Sequence, residues 1–227
     1  LIPRTTIVIS MKILGICGSP RGSKSTTLRL VGAALDGAKA SGAEVELIDV
    51  CKLDLKFCRA CQVCFKTGKC VHKDDFQGIY DKILAADGIV WGSPNYFFTV
   101  TAQIKTLIDR MADAVHCQLL DGKYCCSVAS AGSNCDEVTA YLDRLMVAFG
   151  AFVTGSAGAV MAQGPDAIEG AVKRSFLLGK SLVEDIKAKR DYVEQSAIHS
   201  ITREHFKSLV KMNKDNWVHE YEHWERL

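Results

Sequence analysis

The sequence has no long apolar segment and no strong excess of charge. No run approaches the roughly 20 apolar residues that a membrane-spanning helix needs, and no secretory signal pattern opens the chain. The 28 basic and 26 acidic residues leave a formal net charge of +2, which does not favour nucleic acid or an acidic membrane as partner. We therefore expect no nucleic-acid partner, no membrane partner and a cytoplasmic location.

Cysteine, by contrast, is abundant. Ten cysteines are many for 227 residues, and in a reducing compartment clustered thiols are more often metal ligands or redox groups than disulfides. Four of them, Cys58, Cys61, Cys64 and Cys70, follow the pattern C-x2-C-x2-C-x5-C. The other six are scattered, mostly in apolar segments, and we expect them to be small buried hydrophobic residues.

Short apolar segments alternate with segments of helical periodicity along most of the chain. Five apolar segments predict strands, at 12–18, 44–50, 88–94, 123–130 and 151–160. Helices are predicted between and after them, including one continuous amphipathic helix over 101–113. This alternation predicts an α/β doubly wound fold with a parallel sheet, for which five strands favour the flavodoxin-like order 2-1-3-4-5.

The same pattern divides the chain into three parts. Residues 11–189 form the α/β domain, 190–227 form a helical C-terminal extension, and 1–10 precede the first methionine as an N-terminal extension to which we assign no function. The C-terminal extension is charged and has aromatic residues at near-helical spacing: Phe206, Trp217, Tyr221 and Trp224. We expect it to dock on the domain or on a second subunit, with these side chains used for packing.

Ligands of doubly wound sheets bind beyond the carboxyl ends of the strands, here the loops 18–27, 92–100 and 130–136. The first loop, GSPRGSKSTT, lacks both G-x-x-x-x-G-K-[ST] and G-x-G-x-x-G. It concentrates hydroxyl side chains, an arginine and a lysine before a helix N-terminus, which favours a bound monophosphate such as that of FMN. The alternative is a plain capping loop, although capping needs only one such residue.

The second loop offers an amide and a run of aromatic rings after Pro94 ends the strand. Exposed aromatic rings at the edge of a sheet are costly unless they cover something flat and apolar, such as a flavin. The alternative is that the rings cover the helix below or pack in a dimer interface. We expect at least one of Phe97 and Phe98 to do so.

The first two loops, in this order, resemble the NADPH-dependent FMN reductase branch of the flavodoxin-like proteins. The cysteine run followed by KDD at 73–75 resembles the iron–sulfur flavoprotein subgroup of that branch. The resemblance covers about residues 11–160 and, more weakly, the helix to about 189. It implies one FMN per subunit, a [4Fe–4S] cluster on the four cysteines, and dimers or tetramers in which cluster and flavin of different subunits come close.

Carried over by position, the resemblance assigns cofactor contacts to all three loops. The phosphate would be held by the first loop, through Ser19, Arg21, Ser25, Thr26 and Thr27. The flavin would be lined by the second loop, through Pro94, Asn95, Tyr96 and Phe97. The third loop would close over it, through Ser130, Ala131 and Gly132. The sequence departs from the family in having Ser25 where many relatives have asparagine, and in lacking a double glycine in the third loop.

Three interpretations compete for the cysteine run. Structural zinc usually takes two CxxC pairs separated by a longer insert, a disulfide framework is disfavoured by the compartment, and iron–sulfur clusters accept compact runs. The spacing alone leaves zinc open, and the flavin loops beside it favour the cluster. Gly68 gives the chain freedom to bring Cys70 back, and Arg59, Lys66 and Lys69 can offset the negative charge.

The leading hypothesis is an oxidoreductase with FMN and a [4Fe–4S] cluster. It would transfer electrons between a reduced donor, either NAD(P)H or a ferredoxin-like protein, and a small-molecule or protein acceptor, and it needs no catalytic acid or base. One alternative is a cluster-free NAD(P)H-dependent FMN or quinone reductase. The other is a non-catalytic zinc-binding interaction module. For the flavin hypotheses we expect a homodimer or homotetramer, because the apolar second loop would be better covered by another subunit.

Overall fold

A computed structural model describes residues 11–227; residues 1–10, the predicted N-terminal extension, lie outside the described part. Five strands are present there: β1 Lys12–Cys17, β2 Glu44–Asp49, β3 Gly88–Pro94, β4 Tyr124–Ala131 and β5 Phe152–Val160. The helices are α1 Thr26–Ala40, α2 Val63–Thr67, α3 Phe76–Ala85, α4 Ala102–Asp109, α5 Ala112–His116, α6 Asp136–Ala148, α7 Pro165–Ala188, α8 Val193–Met212 and α9 Val218–Glu225.

All strand pairs are parallel, and the sheet order is β2-β1-β3-β4-β5. This confirms the predicted flavodoxin-like order. The central strands β3 and β4 are buried along nearly their whole length, as expected of strands that are covered by helices on both faces. Order 2-1-3-4-5 places the switch point between β1 and β3, so their following loops open side by side at the carboxyl edge.

Neighbouring residues of one strand face different helix layers. Ile13 of β1 packs in the core beneath α1 and α7, whereas Leu14 and Ile16 pack in the core beneath α3, α4 and α6. Helices α1 and α7 approach closely because a glycine of each, Gly37 and Gly179, faces the backbone of the other helix. A Cβ on Gly179 would lie 1.8 Å from the carbonyl oxygen of Ala34, so no larger residue fits there without separating the helices.

The predicted continuous helix over 101–113 is wrong. Helix α4 ends at Asp109, and α5 begins at Ala112. The break falls at Arg110, whose side chain turns inward to a buried carboxylate. The C-terminal extension forms two helices, α8 and α9, and no helix among residues 11–227 is both long and apolar enough to cross a bilayer.

Burial makes Asp143 of α6 a pH-dependent element of the fold. Burial raises the pKa of Asp143 to about 6, although the hydroxyl of Ser127 donates to its carboxylate. The folded state therefore favours the neutral acid. The neutral carboxyl group of Asp143 contributes fully to the free energy of unfolding below about pH 4, and this contribution is lost as the pH rises through about 6.

We expect Asp143→Asn to remove this pH dependence, because an amide can accept the same hydrogen bond without ionising. Urea unfolding at fixed protein concentration should show the variant more stable than wild type by about 1–3 kcal/mol at pH 8, with little difference at pH 4. Asp36→Asn, on the exposed face of α1, is the control and should change the free energy of unfolding by less than about 0.5 kcal/mol at both pH values. A lower stability of the Asp143 variant at pH 8 would contradict the account.

Candidate cofactor sites

The three loops at the carboxyl edge are tied to one another by buried hydrogen bonds. The hydroxyl of Thr101, which caps α4, donates to the carbonyl of Gly18 in the first loop at 2.7 Å. The backbone N–H of Asn95 donates to the carbonyl of Ser130 at 2.8 Å. The hydroxyls of Thr27 and Ser130 are 2.7 Å apart. The loops therefore form one connected wall rather than three independent segments.

This wall encloses a cavity of about 290 Å³. Ten of the twelve residues predicted to bind the cofactor line it: Ser19, Arg21, Ser25, Thr26, Pro94, Asn95, Tyr96, Ser130, Ala131 and Gly132. Met161 also lines it and was not predicted, because it follows β5 and lies outside the three loops chosen from the sequence. Ser19, Ser25 and Ser130 are buried there. A cavity with hydroxyls and one arginine at a helix N-terminus fits a phosphorylated ligand.

Thr27 and Phe97 do not line the cavity. Thr27 is fully buried, and its hydroxyl is held by Ser130. It lies one residue further into α1 than Thr26, so its side chain points to the sheet rather than to the loop. Phe97 is 95% exposed and sits at the tip of a turn. In this structure Thr27 supports the cavity wall from behind, and Phe97 projects away from it.

The tip of the second loop is a tight turn with an unusual backbone. Tyr96 and Thr99 exchange two backbone hydrogen bonds, and the two residues between them have positive φ, 51° at Phe97 and 68° at Phe98. Bulky residues rarely adopt this conformation, which costs of order 1–3 kcal/mol. The side chain of Asn95 holds the turn, since its Oδ1 accepts from the N–H of Phe98 and its Nδ2 donates to the carbonyl of Asn134.

The four clustered cysteines line a second cavity, of about 240 Å³. Positive φ values at Ala60, Gln62 and Gly68 reverse the chain repeatedly, so that the sulfur-bearing residues surround a common space. Cys58 and Cys61 are on its exposed side, and Cys64 and Cys70 are half-buried. No group of three or more His, Cys, Asp or Glu side chains within residues 11–227 is close enough to share a single metal ion.

The donor set of this second cavity fits an iron–sulfur cluster by its chemistry, since four thiols line one space. In a [4Fe–4S] cluster each thiolate binds a different iron, so the ligands must surround a volume, as these four do. All ten cysteines are free thiols. Of the six outside the cavity, Cys51 is half-buried and five are buried, as expected: Cys17, Cys117, Cys125, Cys126 and Cys135. His72 also lines the cavity, and its buried Nε2 has no partner within the described chain.

The acidic residues after the cysteines close the base of the cysteine loop. Asp74 accepts from the backbone N–H of Lys56 at 2.9 Å, and Asp75 accepts from that of Asp54 at 2.8 Å. Asp74 also forms a bidentate ion pair with Arg110. Burial opposes ionisation of Asp74, but the hydrogen bonds from Arg110 and Lys56 outweigh it and lower its pKa to about 2. The two aspartates of the KDD segment thus join the end of the cysteine loop to its beginning.

The C-terminal extension covers the inner side of the cysteine loop. Phe65 of α2 packs against His116 and Trp217, with ring centroids 4.9 Å apart in each pair. His116 stacks on Trp217 and also contacts Phe206. Trp224 Nε1 donates to the carbonyl of His116. The extension therefore docks on the domain, and three of the four aromatic residues predicted to pack, Phe206, Trp217 and Trp224, make contacts there.

Polar contacts reinforce this docking. Glu220 of α9 is fully buried and lies 3.0 Å from Nδ1 of His116. Gly68, which ends α2 with φ +72°, abuts the ring of His219, and a Cβ there would lie 2.6 Å from that ring. The turn between Cys64 and Cys70 therefore packs against α9.

A family model of the NADPH-dependent FMN reductases matches residues 11–166, more than half of the chain. The chain belongs to the NADPH-dependent FMN reductase family. The expectation of an oxidoreductase of this family is thereby confirmed. The match includes both cavities, since it covers the three loops and the cysteine run.

Individual relatives agree with this assignment. An iron–sulfur flavoprotein of Archaeoglobus fulgidus is 32% identical over 182 residues, which cover 79% of this chain and 82% of the relative. One of Methanocaldococcus jannaschii is 46% identical over 100 residues, 44% of this chain and 51% of the relative. Among solved structures, a flavone reductase superimposes with a TM-score of 0.62 at 26% identity, covering 78% of this chain and 63% of that one. The chain thus spans about half of the second relative.

We expect Gly68→Ala to loosen α9 from the cysteine loop. Gly122 is the matched control, because it has the same φ of +72° but open space around its Cα. Gly122→Ala should cost only the backbone strain, about 1–2 kcal/mol, whereas Gly68→Ala adds a clash with His219 and should cost at least about 1 kcal/mol more. Urea unfolding measures both.

The double variant Gly68→Ala with His219→Ala tests the cause. Relief of the clash should bring its cost, relative to His219→Ala alone, back to that of Gly122→Ala. Equal costs of the two glycine variants in the presence of His219 would show that α9 does not constrain the loop.

Proposed function

We propose that the protein is an FMN-dependent oxidoreductase that also carries a [4Fe–4S] cluster. It would transfer electrons between a reduced donor, NAD(P)H or a ferredoxin-like protein, and a small-molecule or protein acceptor. The observation that carries this proposal is the relation of both cavities to helix α4. Thr101 at its start is hydrogen-bonded to the first loop, and Arg110 just past its end is hydrogen-bonded to Cys70. The two anchor points are about 13 Å apart along the helix axis.

The loop cavity suits FMN by the chemistry of its walls. Ser19, Ser25 and Thr26 supply hydroxyls and Arg21 a positive charge for the phosphate, next to the N-terminus of α1. The flavin would be lined by the second and third loops, through Pro94, Asn95, Tyr96, Ser130, Ala131 and Gly132. Bound FMN supplies electron exchange either singly or in pairs, and the chain's part is to position it and exclude water.

The cysteine cavity suits a cluster that exchanges one electron at a time. Cys58, Cys61, Cys64 and Cys70 would be its ligands, consistent with the relatives named iron–sulfur flavoproteins. A flavin with a one-electron centre within reach converts a two-electron donor into a source of single electrons. This conversion of paired electrons into single electrons would explain why a flavin reductase has four thiols around one space.

A homodimer or homotetramer is part of the proposal. Phe97 and Phe98 are 95% and 75% exposed in the described chain, and the strained turn holds both rings outward. Exposed apolar surface of this kind marks an interface, and a second copy of the chain is the occupant that would also cover the neighbouring flavin cavity.

The central test is cofactor content after anaerobic purification. Wild type should contain about one FMN and about four iron and four sulfide per chain. Cys61→Ser and Cys64→Ser should lose most of the iron and the transfer of electrons to a one-electron acceptor, while they retain FMN. Cys51→Ser is the control, because Cys51 does not line the cavity, and it should keep both cofactors.

The other outcomes discriminate between the functions. FMN without iron, even after reconstitution with iron and sulfide, would support the cluster-free reductase. One zinc per chain without flavin absorbance would support the interaction module and exclude the proposed oxidoreductase.

The interface is tested by Phe97→Asn combined with Phe98→Gly. Asn-Gly is the preferred sequence for a tight turn with two positive φ values, so the double variant removes both rings and also relieves the strain. We expect a monomer in sedimentation velocity, whose subunit fold is retained by circular dichroism. Ile201→Ser removes a similarly exposed apolar residue from α8 and should leave the oligomer intact. An oligomer that survives loss of both rings would place the interface elsewhere.

A further inference from the structure

Arg110 is a buried cation in direct contact with a cysteine of the second cavity. Its side chain is 1% exposed, and its Nη2 donates to the Sγ of Cys70 at 3.1 Å. Nη1 donates to the carboxylate of Asp74 at 2.5 Å and to the carbonyl of Lys56 at 3.2 Å. The guanidinium carbon lies 4.2 Å from the centre of the Phe76 ring.

This arrangement directs one part of the guanidinium at sulfur. The carboxylate of Asp74 takes one N–H from each terminal nitrogen, which fixes the plane of the group. Because the fork is planar and rigid, the remaining N–H of Nη2 can point only toward Cys70. A lysine could pair with Asp74 but could not hold both contacts in one plane.

Stability alone does not explain such a pair. Burying an ion pair costs desolvation energy that its attraction often fails to recover, so a buried pair is weak support for a purely structural role. Asp74 could clasp the loop through the backbone N–H groups of Lys56 and Phe76 without a cation. The cation adds a positive charge and a hydrogen bond at one ligand of the cavity.

We propose that Arg110 tunes the reduction potential of the centre bound through Cys70, with Asp74 as the residue that orients it. The inference rests on the proposed function. Hydrogen bonds to cluster sulfurs and nearby positive charge stabilise the more negative, reduced form and raise its potential. Among residues 11–227, Arg110 is the one cation whose side chain donates to a cysteine of this cavity. The lysines and arginine chosen from the sequence, Arg59, Lys66 and Lys69, are exposed.

The test is a redox titration of the anaerobic holoprotein, followed by electron paramagnetic resonance of the reduced cluster. Arg110→Met alone would leave the buried carboxylate of Asp74 without a balancing positive charge, so the informative variant is Arg110→Met with Asp74→Asn. At the wild-type midpoint potential we expect its ratio of reduced to oxidised cluster to fall at least tenfold, equivalent to 59 mV for one electron. For Arg110→Lys we expect the ratio to fall less than in the double variant, but by at least about threefold.

Lys69→Met is the matched control. It removes a positive charge from the residue next to Cys70 but from an exposed side chain, so the ratio should change less than twofold. Iron and FMN content are measured for every variant, and the midpoint of FMN should stay at the wild-type value. These readouts separate an effect on potential from loss of the cluster or of the fold.

Each remaining outcome overturns the inference. An unchanged ratio in the double variant with four irons would show that Arg110 does not tune the centre. A fall as large in Lys69→Met would assign the effect to general charge rather than to the hydrogen bond. Loss of iron from both Arg110 variants would make the residue structural. Wild-type protein that binds FMN but no iron would refute the proposed cluster itself, a failure visible before any variant is titrated.

Discussion

The buried ion pair between Asp74 and Arg110 joins the cysteine loop to the scaffold of strands and helices. Asp74 closes the cysteine loop, which enters after β2 and leaves into α3, by accepting from Lys56 and from Phe76. Arg110 follows the end of α4, a helix whose start is bonded to the first loop, residues 18–27. A long insertion at the edge of a sheet would ordinarily be mobile. Here this buried contact and the packing of the C-terminal extension hold the cysteine loop in place beside the loop cavity.

The two cavities differ in how they are built. The loop cavity is formed by three segments that follow adjacent strands, so its geometry is inherited from the parallel sheet. The cysteine cavity is formed by a single short segment with left-handed residues at Ala60, Gln62 and Gly68. Such a segment cannot bury enough apolar surface to fix itself. It depends on Arg110 from one side and on the aromatic rings of the C-terminal extension from another.

Much of the fold and the loop cavity could be predicted from the sequence because their signals are local. Buried parallel strands are recognisable in the sequence as short apolar runs, and the strand order determines which loops meet at the carboxyl edge. For this reason ten of the residues predicted to bind the cofactor line one cavity. The directions of the Thr27 and Phe97 side chains were less predictable. A shift of one position along α1 decides whether Thr27 faces the cavity, and the backbone conformation of one turn decides where Phe97 points. Arg110 was missed because helical periodicity continues across it. Its buried partner, Asp74, lies 36 residues earlier in the chain, so no local pattern marks the break.

The cysteine cavity is asymmetric in a way that follows from these supports. Cys64 and Cys70 are half-buried, and Arg110 donates to Cys70, whereas Cys58 and Cys61 lie on the exposed side. Hydrogen bonds and charges act more strongly where water is excluded, so the inner ligands are the ones through which the protein can influence a bound group. The outer ligands remain accessible to another molecule. In the proposed function, an electron-transfer centre bound in this cavity would be influenced by the protein on its inner side and would be open to other molecules on its outer side.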